Sequence, residues 1–486
     1  MGERCIMSEN LINEIYYRIK NGYCDVLGAG VSNLPLVKWL AQRGAKITVR
    51  DVKPRESIKQ AGQIEDCGAK LICGADYLSD LGERGEPEKT LIFRSPGIRP
   101  DTKEILNATE KGCILTSEME LFFHITKANI IAVTGSDGKT TTTTLVGKIL
   151  SEAKKGRVFV GGNIGKPLLP DNDLMTDKDF AVVELSSFQL QTMKTSASTA
   201  VITNITPNHL NWHVGMEEYT DAKYNVCRHG ECKRLILNSD NELSKRAAYE
   251  AKGQVQIVFF SLIADSYEKT VPAGIENAVA LYEKEGVIYV SDGINESALM
   301  KSSDIKIPGR HNVANYMAAI AATMEYASPE DAIKVATTFA GVEHRIELVR
   351  ELDGVKYYNS SIDSTPTRTE AALSAFDQKV ITICGGYDKN VPFEPLAATL
   401  CKRAKAVVLT GACADKIFAA LESYEGYRDS NLKVYNEPDF YDAVRKSRSI
   451  AKEGDIVILS PACASFDAFD NFAERGEAFK KTVNSF

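Results

Sequence analysis

The sequence predicts an α/β protein of three domains, each built on a mostly parallel sheet wrapped by helices. Three observations predict it. A chain of 486 residues exceeds what one hydrophobic core holds, and ordinary domain sizes divide it into roughly three. Short apolar runs, glycine-bearing loops and amphipathic helices alternate along it, the rhythm of parallel strands joined by helical crossovers. No fixed-period repeat breaks that rhythm, and the one low-complexity tract is a run of five threonines at 140–144.

Bulk composition narrows the class. The chain is 44% hydrophobic and 25% charged, ordinary values for a globular protein. A net charge of -7 without a basic stripe excludes a nucleic-acid binder, whose affinity needs clustered lysine and arginine. The opening stretch MGERCIMSENLINEIYYRIKNGYCDVLGAG places charges in every short apolar patch. It has no signal-peptide core, and no run elsewhere is long enough to span a bilayer, so no membrane insertion is expected. Eleven cysteines without a C-x-x-C pair argue against structural zinc and a disulfide framework, which points to a reducing cytoplasm.

The first segment, residues 1–117, opens with DVLGAGVSNLPLVKWLAQRGAKITVRD. A strand into Gly28, a helix through Trp39, a turn at Gly44 and a strand ending at Asp51 make a Rossmann-like mononucleotide-binding unit. Asn33 stands where a dinucleotide fingerprint has its third glycine. The stretch therefore reads equally as a plain βαβ unit with a tight turn. Further on, TLIFRSPGIRP gives another strand that ends in a turn with exposed backbone amides.

The second segment, residues 118–341, carries most of the chemistry. The strand NIIAVTG runs into GSDGKTTTTT, where only Ser136 and Asp137 separate Gly135 from Gly138. The usual phosphate loop has four residues there, yet this shorter one has the same means. Its glycines let backbone approach phosphate oxygens, and the following helix aims free N–H groups at them. Lys139 can bridge outer phosphates, and the Thr140 hydroxyl can ligate magnesium. Leu145, Val146, Ile149 and Leu150 supply the buried stripe of that helix. Three more strands end in polar groups: Asn163 after RVFVGG, Glu184 closing AVVE, and His209 beyond AVITNITPN. Ligands of open parallel sheets gather at the carboxyl ends of strands, so these groups are expected to face one cleft. Read singly, each is an ordinary rim residue.

The third segment, residues 342–486, holds three strand-loop-helix units: KVITICGGYDKN, AVVLTGACADKI and DIVILSPACASFDAF.

In order along the chain, GSDGKTT, GGNIG, ELSSFQL, NHLNWH followed by EEYTDAK, and PGRHNVANYMAAIAA resemble the Mur ligases. These are cytoplasmic enzymes that add amino acids to the peptidoglycan precursor and carry a shortened phosphate loop of this type. The resemblance covers all three segments. It implies a Rossmann-like N-terminal domain, a central P-loop-type ATPase domain and a Rossmann-like C-terminal domain. VEHRIELV, GGYDKN and LSPACASFDAFDNFAERGEAF resemble the branch that joins D-glutamate to UDP-N-acetylmuramoyl-L-alanine. The family phosphorylates the substrate carboxylate with ATP, and the incoming amine displaces phosphate from that acyl phosphate.

Carried over by position, the resemblance implies an ATP site at Gly135, Ser136, Asp137, Gly138, Lys139, Thr140 and Thr141. Asn312 and Asn315 resemble the adenine contacts and Arg345 a phosphate contact. Two magnesium ions are implied, with Thr140, Glu184, His209 and Lys223 as ligands, Lys223 carrying a carbamate. Lys139, Lys223, His209 and Glu184 are the implied catalytic set. Val31, Ser32, Ser95, Gly97 and Asn163 fall at the UDP-substrate site. Ser364, Lys389, Ser465 and Phe472 fall at the D-glutamate site, with Ser465 expected to begin a helix. A monomer is implied. One stretch departs from the family: YYNSSIDST has Ser360 where an aspartate near the ATP ribose is usual, and Asp363 three residues later. Taken without the resemblance, Lys223 reads as a solvent-exposed lysine on a helix with Tyr219 one turn earlier.

Three rival readings remain at this stage. A nicotinamide-dependent dehydrogenase rests on GAGVSN and Asp51 alone. A nucleotide-hydrolysing switch protein rests on the phosphate loop, without an Asn-Lys-x-Asp guanine motif. A binding-only homologue rests on Ser360 alone.

Overall fold

The structure, a computed structural model, describes residues 2–30, 33–210, 212–389 and 391–486, with side chains from residue 12 onward. The expected positions Val31 and Ser32 lie outside the described residues. The architecture is α/β, with twenty described strands in three sheets. The described chain divides into two compact units, Met1–Ser302 with Ala314–Val335, and Ser303–Val313 with Ala336–Phe486. The first unit carries two of the sheets.

The first sheet comprises β1 (Tyr23–Leu27), β2 (Lys46–Asp51), β3 (Lys70–Cys73), β4 (Thr90–Arg94) and β5 (Ile114–Thr116). Their order is β3-β2-β1-β4-β5, all parallel. The strand order reverses between β1 and β4, which opens a crevice at the ends of those two strands. Leu36, Val37, Trp39 and Leu40 of the helix Leu34–Gln42 are buried against this sheet.

The second sheet has β6 (Asn129–Thr134) third from one edge, flanked by β8 (Phe180–Glu184) and β9 (Thr199–Ile202), with β7 (Val158–Gly162) at that edge. Beyond β9 follow β10 (Arg234–Asn238), β11 (Gln256–Ser261), β12 (Val279–Lys284), β13 (Val287–Ser291) and β14 (Glu296–Lys301). β6 and β8 are buried almost throughout, as parallel strands covered on both faces must be. The helix Lys139–Ala153 buries the expected Leu145, Val146, Ile149 and Leu150, each worth about 1.5–3 kcal/mol as an apolar side chain removed from water. β13 and β14 run antiparallel, where the rhythm of the sequence predicts parallel strands. The turn explains this: Glu285 at φ 52 and Gly286 at φ 76 close β12 onto β13 as a two-residue hairpin.

The second unit holds β15 (Glu347–Leu352), β16 (Val355–Asn359), β17 (Val380–Gly385), β18 (Ala404–Thr410), β19 (Lys433–Asn436) and β20 (Ile456–Leu459). Their order is β15-β16-β20-β17-β18-β19. β15 is antiparallel to β16 across an Asp353-Gly354 turn with both residues at positive φ. The other pairs are parallel, and the order reverses between β20 and β17.

Candidate active site

β6 delivers the chain to the short glycine loop, and the loop is built so that side chains at two points are impossible. A Cβ on Gly135 (φ +148) would lie 1.9 Å from Thr203 Oγ1, and one on Gly138 (φ +78) 2.4 Å from Asn315 Oδ1. β9's continuation clamps the loop from below. The Ser136 and Asp137 amides donate to the Asn204 carbonyl and side-chain oxygens at 2.8 and 3.0 Å, and Thr203 Oγ1 donates to the Asp137 carbonyl at 2.6 Å. The Ser136 hydroxyl is committed inward, to the Thr206 backbone at 2.9–3.0 Å and the Tyr219 hydroxyl at 2.9 Å. A rigid loop now opens the helix at Lys139, whose first-turn N–H groups and dipole suit an anion. Lys139 and Thr140 are partly exposed there, whereas Thr141, Thr142 and Thr143 are buried. Asn315, on the helix Arg310–Thr323, packs behind the loop with its Oδ1 3.3 Å from Thr142 Oγ1. Asn312 lies one turn earlier, its amide donating to the Pro308 carbonyl at 2.6 Å.

Two lysines converge on one oxygen of this loop. Lys139 Nζ donates to the Gly135 carbonyl at 3.0 Å and to that of Ser136 at 2.9 Å. Lys223 Nζ donates to the same Gly135 carbonyl at 2.8 Å. Lys223 is 1% exposed, and its nitrogen sits 4.6 Å above the Tyr219 ring. The helix Met216–Tyr224 thus presents both residues on one face, but that face is buried, and the reading of Lys223 as a solvated cation is overturned. Burial first, then the Lys139 cation, pushes its pKa well below the ordinary lysine range, against Asp137 and Glu184. Burial thus favours the neutral amine relative to a solvated lysine.

Glu184 closes β8 beside β6 and β7, in register with Val133 and Gly162. It is 1% exposed. Its Oε1 accepts from Asn163 Nδ2 at 2.8 Å, and its Oε2 is buried with no hydrogen-bond partner. A buried carboxylate oxygen left in that state is costly and fits a cation ligand. His209 lies at φ +54 with its ring centre 4.8 Å from that of Phe188, the two rings edge to face. Burial, then Lys139 and Lys223, lower its pKa, so the imidazole is held neutral, the form that ligates metals. The structure therefore brings together Lys139, Thr140, Glu184, Asn163, Lys223 and His209 around one loop.

At the crevice of the first sheet, Asn33 takes the role that a third glycine would refuse. Its amide donates to the carbonyls of Leu27 at 3.2 Å and Gly28 at 2.8 Å and to Ser95 Oγ at 2.8 Å. Ser95 Oγ donates in turn to the Leu27 carbonyl at 2.5 Å. Asp51 accepts from the amides of Ala29 at 2.8 Å and Lys53 at 2.9 Å. Asp51 thus braces the glycine turn and the strand end, a structural task that does not require a bound dinucleotide. Gly97 is exposed, with open space around it.

In the second unit, Lys389 Nζ donates to Ser364 Oγ at 3.3 Å, and the Tyr387 amide donates to the Ala464 carbonyl at 2.9 Å. The first bond ties Lys389 to the loop of Ser364, and the second sets Tyr387 beside the closing motif. Ser465 is 2% exposed and Phe472 41%, the Phe472 ring standing edge-on to His344 at 6.0 Å. The helix expected at Ser465 is a correction: residues 465–469 form one turn, and the helix is Phe472–Asn484. Asn471 caps it by accepting from the Glu474 amide, which fixes the start at Phe472, beyond the turn of Ser465. Sequence reasoning missed Arg475. Buried in that helix, it donates to Ser361 Oγ at 3.0 Å and to the carbonyls of Ser361, Cys463 and Ala464 at 2.9–3.1 Å. No local pattern marks it, because its partners lie on two other loops.

Asp363 is also buried, accepting from Ser460 Oγ at 2.8 Å and from Ser360. Burial raises its pKa to about 6. Ser360 and Asp363 thus satisfy each other beneath the surface. Arg345 lowers the Asp363 pKa electrostatically against that burial. Among the described residues one cluster, Glu343, His344 and Glu477, groups three potential metal ligands, but Lys480 already pairs with Glu343 and Glu477 at 2.8 Å.

Two family models match the chain: Mur ligase middle domain over residues 133–323, and Mur ligase, glutamate ligase domain over residues 344–463. Among curated relatives, the UDP-N-acetylmuramoylalanine--D-glutamate ligase of Ruminiclostridium cellulolyticum is 44% identical over 98% of this chain and 99% of its own length. That of Acetivibrio thermocellus is 46% identical over 98% of each. Solved structures share the fold at low identity. A UDP-N-acetylmuramate-alanine ligase from Thermotoga maritima is 17% identical with a TM-score of 0.54, covering 95% of this chain and 99% of that one. A pseudomurein peptide ligase type C from Methanothermus fervidus is 18% identical with a TM-score of 0.52, covering 96% and 100%.

Proposed function

The chain belongs to the Mur ligase family, and on that premise we propose that it is an ATP-dependent ligase joining D-glutamate to UDP-N-acetylmuramoyl-L-alanine. The reaction belongs to cytoplasmic peptidoglycan precursor synthesis. The observation that carries the reading is the convergence of Lys139, Lys223 and the orphaned Glu184 oxygen on one glycine loop. The choice of D-glutamate rests on the closing motif and on relatives at 44–46% identity that bear that name.

The three functional domains are residues 1–117 for the UDP substrate, 118–341 for ATP and 342–486 for the amino acid. The loop amides of Gly135 to Gly138 and the helix opening at Lys139, Thr140 and Thr141 hold the triphosphate. Lys139 releases its own loop carbonyls to meet phosphate oxygens. Asn312 and Asn315 contact adenine, and Arg345 a phosphate. Val31, Ser32, Ser95, Gly97 and Asn163 hold the UDP-linked substrate. The substrate carboxylate attacks the terminal phosphorus of ATP and expels ADP; the neutral D-glutamate amine then attacks the acyl carbon, loses a proton and expels inorganic phosphate. Ser364, Lys389, Ser465 and Phe472 fix the D-glutamate carboxylates and stem so that the amine faces that carbon.

Thr140, Glu184 and His209 would hold two magnesium ions, which the orphaned Glu184 oxygen and the neutral His209 ring fit. Magnesium there would neutralise the charge of the phosphates. Lys223 joins them as a carbamate. Its neutral amine adds through its lone pair to carbon dioxide and releases a proton to solvent, converting a buried base into a buried anion beside the cations. The protein acts as a monomer.

Hydroxylamine tests the chemistry. With ATP and UDP-N-acetylmuramoyl-L-alanine but no amino acid, it is expected to intercept the acyl phosphate as a hydroxamate. Phosphate release without hydroxamate would contradict the intermediate.

A further inference from the structure

His213 is 2% exposed and sits among more polar contacts than a packing residue needs. Its ring stacks on Phe188 at 5.5 Å and meets the Tyr219 edge at 5.3 Å. A phenylalanine would fill that slot as well. Yet Nε2 lies 3.0 Å from Ser187 Oγ, and Nδ1, with no hydrogen-bond partner, points toward Glu218 Oε2 at 3.7 Å. A carboxylate facing Nδ1 favours the proton on that nitrogen, which leaves Nε2 to accept from the Ser187 hydroxyl.

The ring is tied to His209 through backbone. The amides of Trp212 and His213 both donate to the His209 carbonyl, at 2.9 and 3.0 Å. His209 itself holds a left-handed backbone at φ +54, a conformation that persists in a histidine only when its surroundings fix it. Phe188, stacked on His213, also touches the His209 ring at 4.8 Å. Glu218 is fixed in turn. It accepts from the Val214 amide at 2.5 Å, from Gln191 Nε2 at 2.7 Å and from Arg99 Nη2 at 3.1 Å. Arg99 also donates to the Trp212 carbonyl. It follows β4 closely, in the turn that carries Ser95 and Gly97, so the chain of contacts runs from the crevice of the first sheet to the loop of His209.

We propose that His213 is a positioning residue: bonded to Ser187 and facing the Glu218 carboxylate, it fixes the backbone that aims His209, and Arg99 couples that aim to the turn of the first sheet. The inference rests on the reading of His209 as a metal ligand and adds the group that orients it. Ligand-orienting partners of this kind typically change metal affinity or turnover by about 10- to 100-fold when removed.

The test uses the full-length protein with three variants, His213→Phe, Glu218→Gln and His209→Ala. Manganese binding in the presence of ADP is measured by electron paramagnetic resonance, beside kcat, the ATP KM and the thermal midpoint. His213→Phe keeps the stack and the volume. It is expected to melt as the wild type does, keep the ATP KM, and lose about 10-fold or more in both manganese affinity and kcat. Glu218→Gln is expected to shift the same two quantities in the same direction, and decides the matter if the phenylalanine variant does not fold. Wild-type manganese affinity and kcat in both, with both lost in His209→Ala, would overturn the role of His213 and leave the metal site standing. Wild-type values in His209→Ala itself would overturn the metal reading and this inference together.

Discussion

The Lys223 amine donates to the Gly135 carbonyl at 2.8 Å, and Lys139 shares that oxygen at 3.0 Å. Two cations on one neutral oxygen in a buried site would repel strongly, since charge is little screened there. The conflict is relieved if Lys223 gives up its proton, and relieved further if it becomes an anion.

Lys223 variants follow from this. Lys223→Arg keeps a permanent cation that cannot lose its proton and is expected to be as inactive as Lys223→Ala, both losing about 100- to 1,000-fold in kcat, the cost of one electrostatic stabiliser. Labelled bicarbonate is expected to yield a carbamate signal in the wild type alone. Normal turnover by the arginine variant would remove the carbamate from the account.

Lys139→Ala is expected to lose about 3–4 kcal/mol of transition-state stabilisation while the chain still folds, because the Lys139 side chain is itself partly exposed. Single-turnover rates with saturating ATP measure this. Near-normal rates would take the glycine loop out of the reaction.

Lys389→Ala and Ser465→Ala are expected to raise the D-glutamate KM by about 1.5–3 kcal/mol each, as lost charge-assisted hydrogen bonds do, with the ATP KM little changed. Steady-state titration of each substrate separates the two. Equal shifts for every substrate would mean that the residues act through folding.

Asp363 supplies a pH dependence. Its folded pKa, about 6 against an ordinary 3.8, lies above the unfolded value. Its contribution to stability is therefore full below about pH 4 and lost as pH rises through about 6. Asp363→Asn is expected to leave stability at pH 4 nearly unchanged and to gain up to about 3 kcal/mol at pH 8. Denaturant unfolding at both values checks it, and a pH-independent change would refute the assignment.

Local signals were legible in the sequence and long-range ones were not. The glycine loop could be read because strand, glycines and helix are contiguous, and Glu184 because it ends an apolar run. The spacing of Tyr219 and Lys223 gave their shared helical face. Burial of that face could not be read, since it depends on Gly135, 88 residues away. The hairpin turns at Glu285-Gly286 and Asp353-Gly354 and the cap at Asn471 carry recognisable turn and capping chemistry, outweighed in the reading by the βα rhythm and by the motif around Ser465. The Ser186–Gln189 capping box likewise hides within ELSSFQL. Arg475, His213 and Arg99 have partners scattered over distant loops, so no window of sequence displays them.

Amino-acid choice is read from ADP release by the purified protein with ATP and UDP-N-acetylmuramoyl-L-alanine, assayed against D-glutamate, L-glutamate, L-alanine, a diamino acid and a dipeptide. The account predicts stoichiometric ADP and amide product with D-glutamate alone. Equal ADP release with every amino acid or with none, or product formed from a different one, would contradict it.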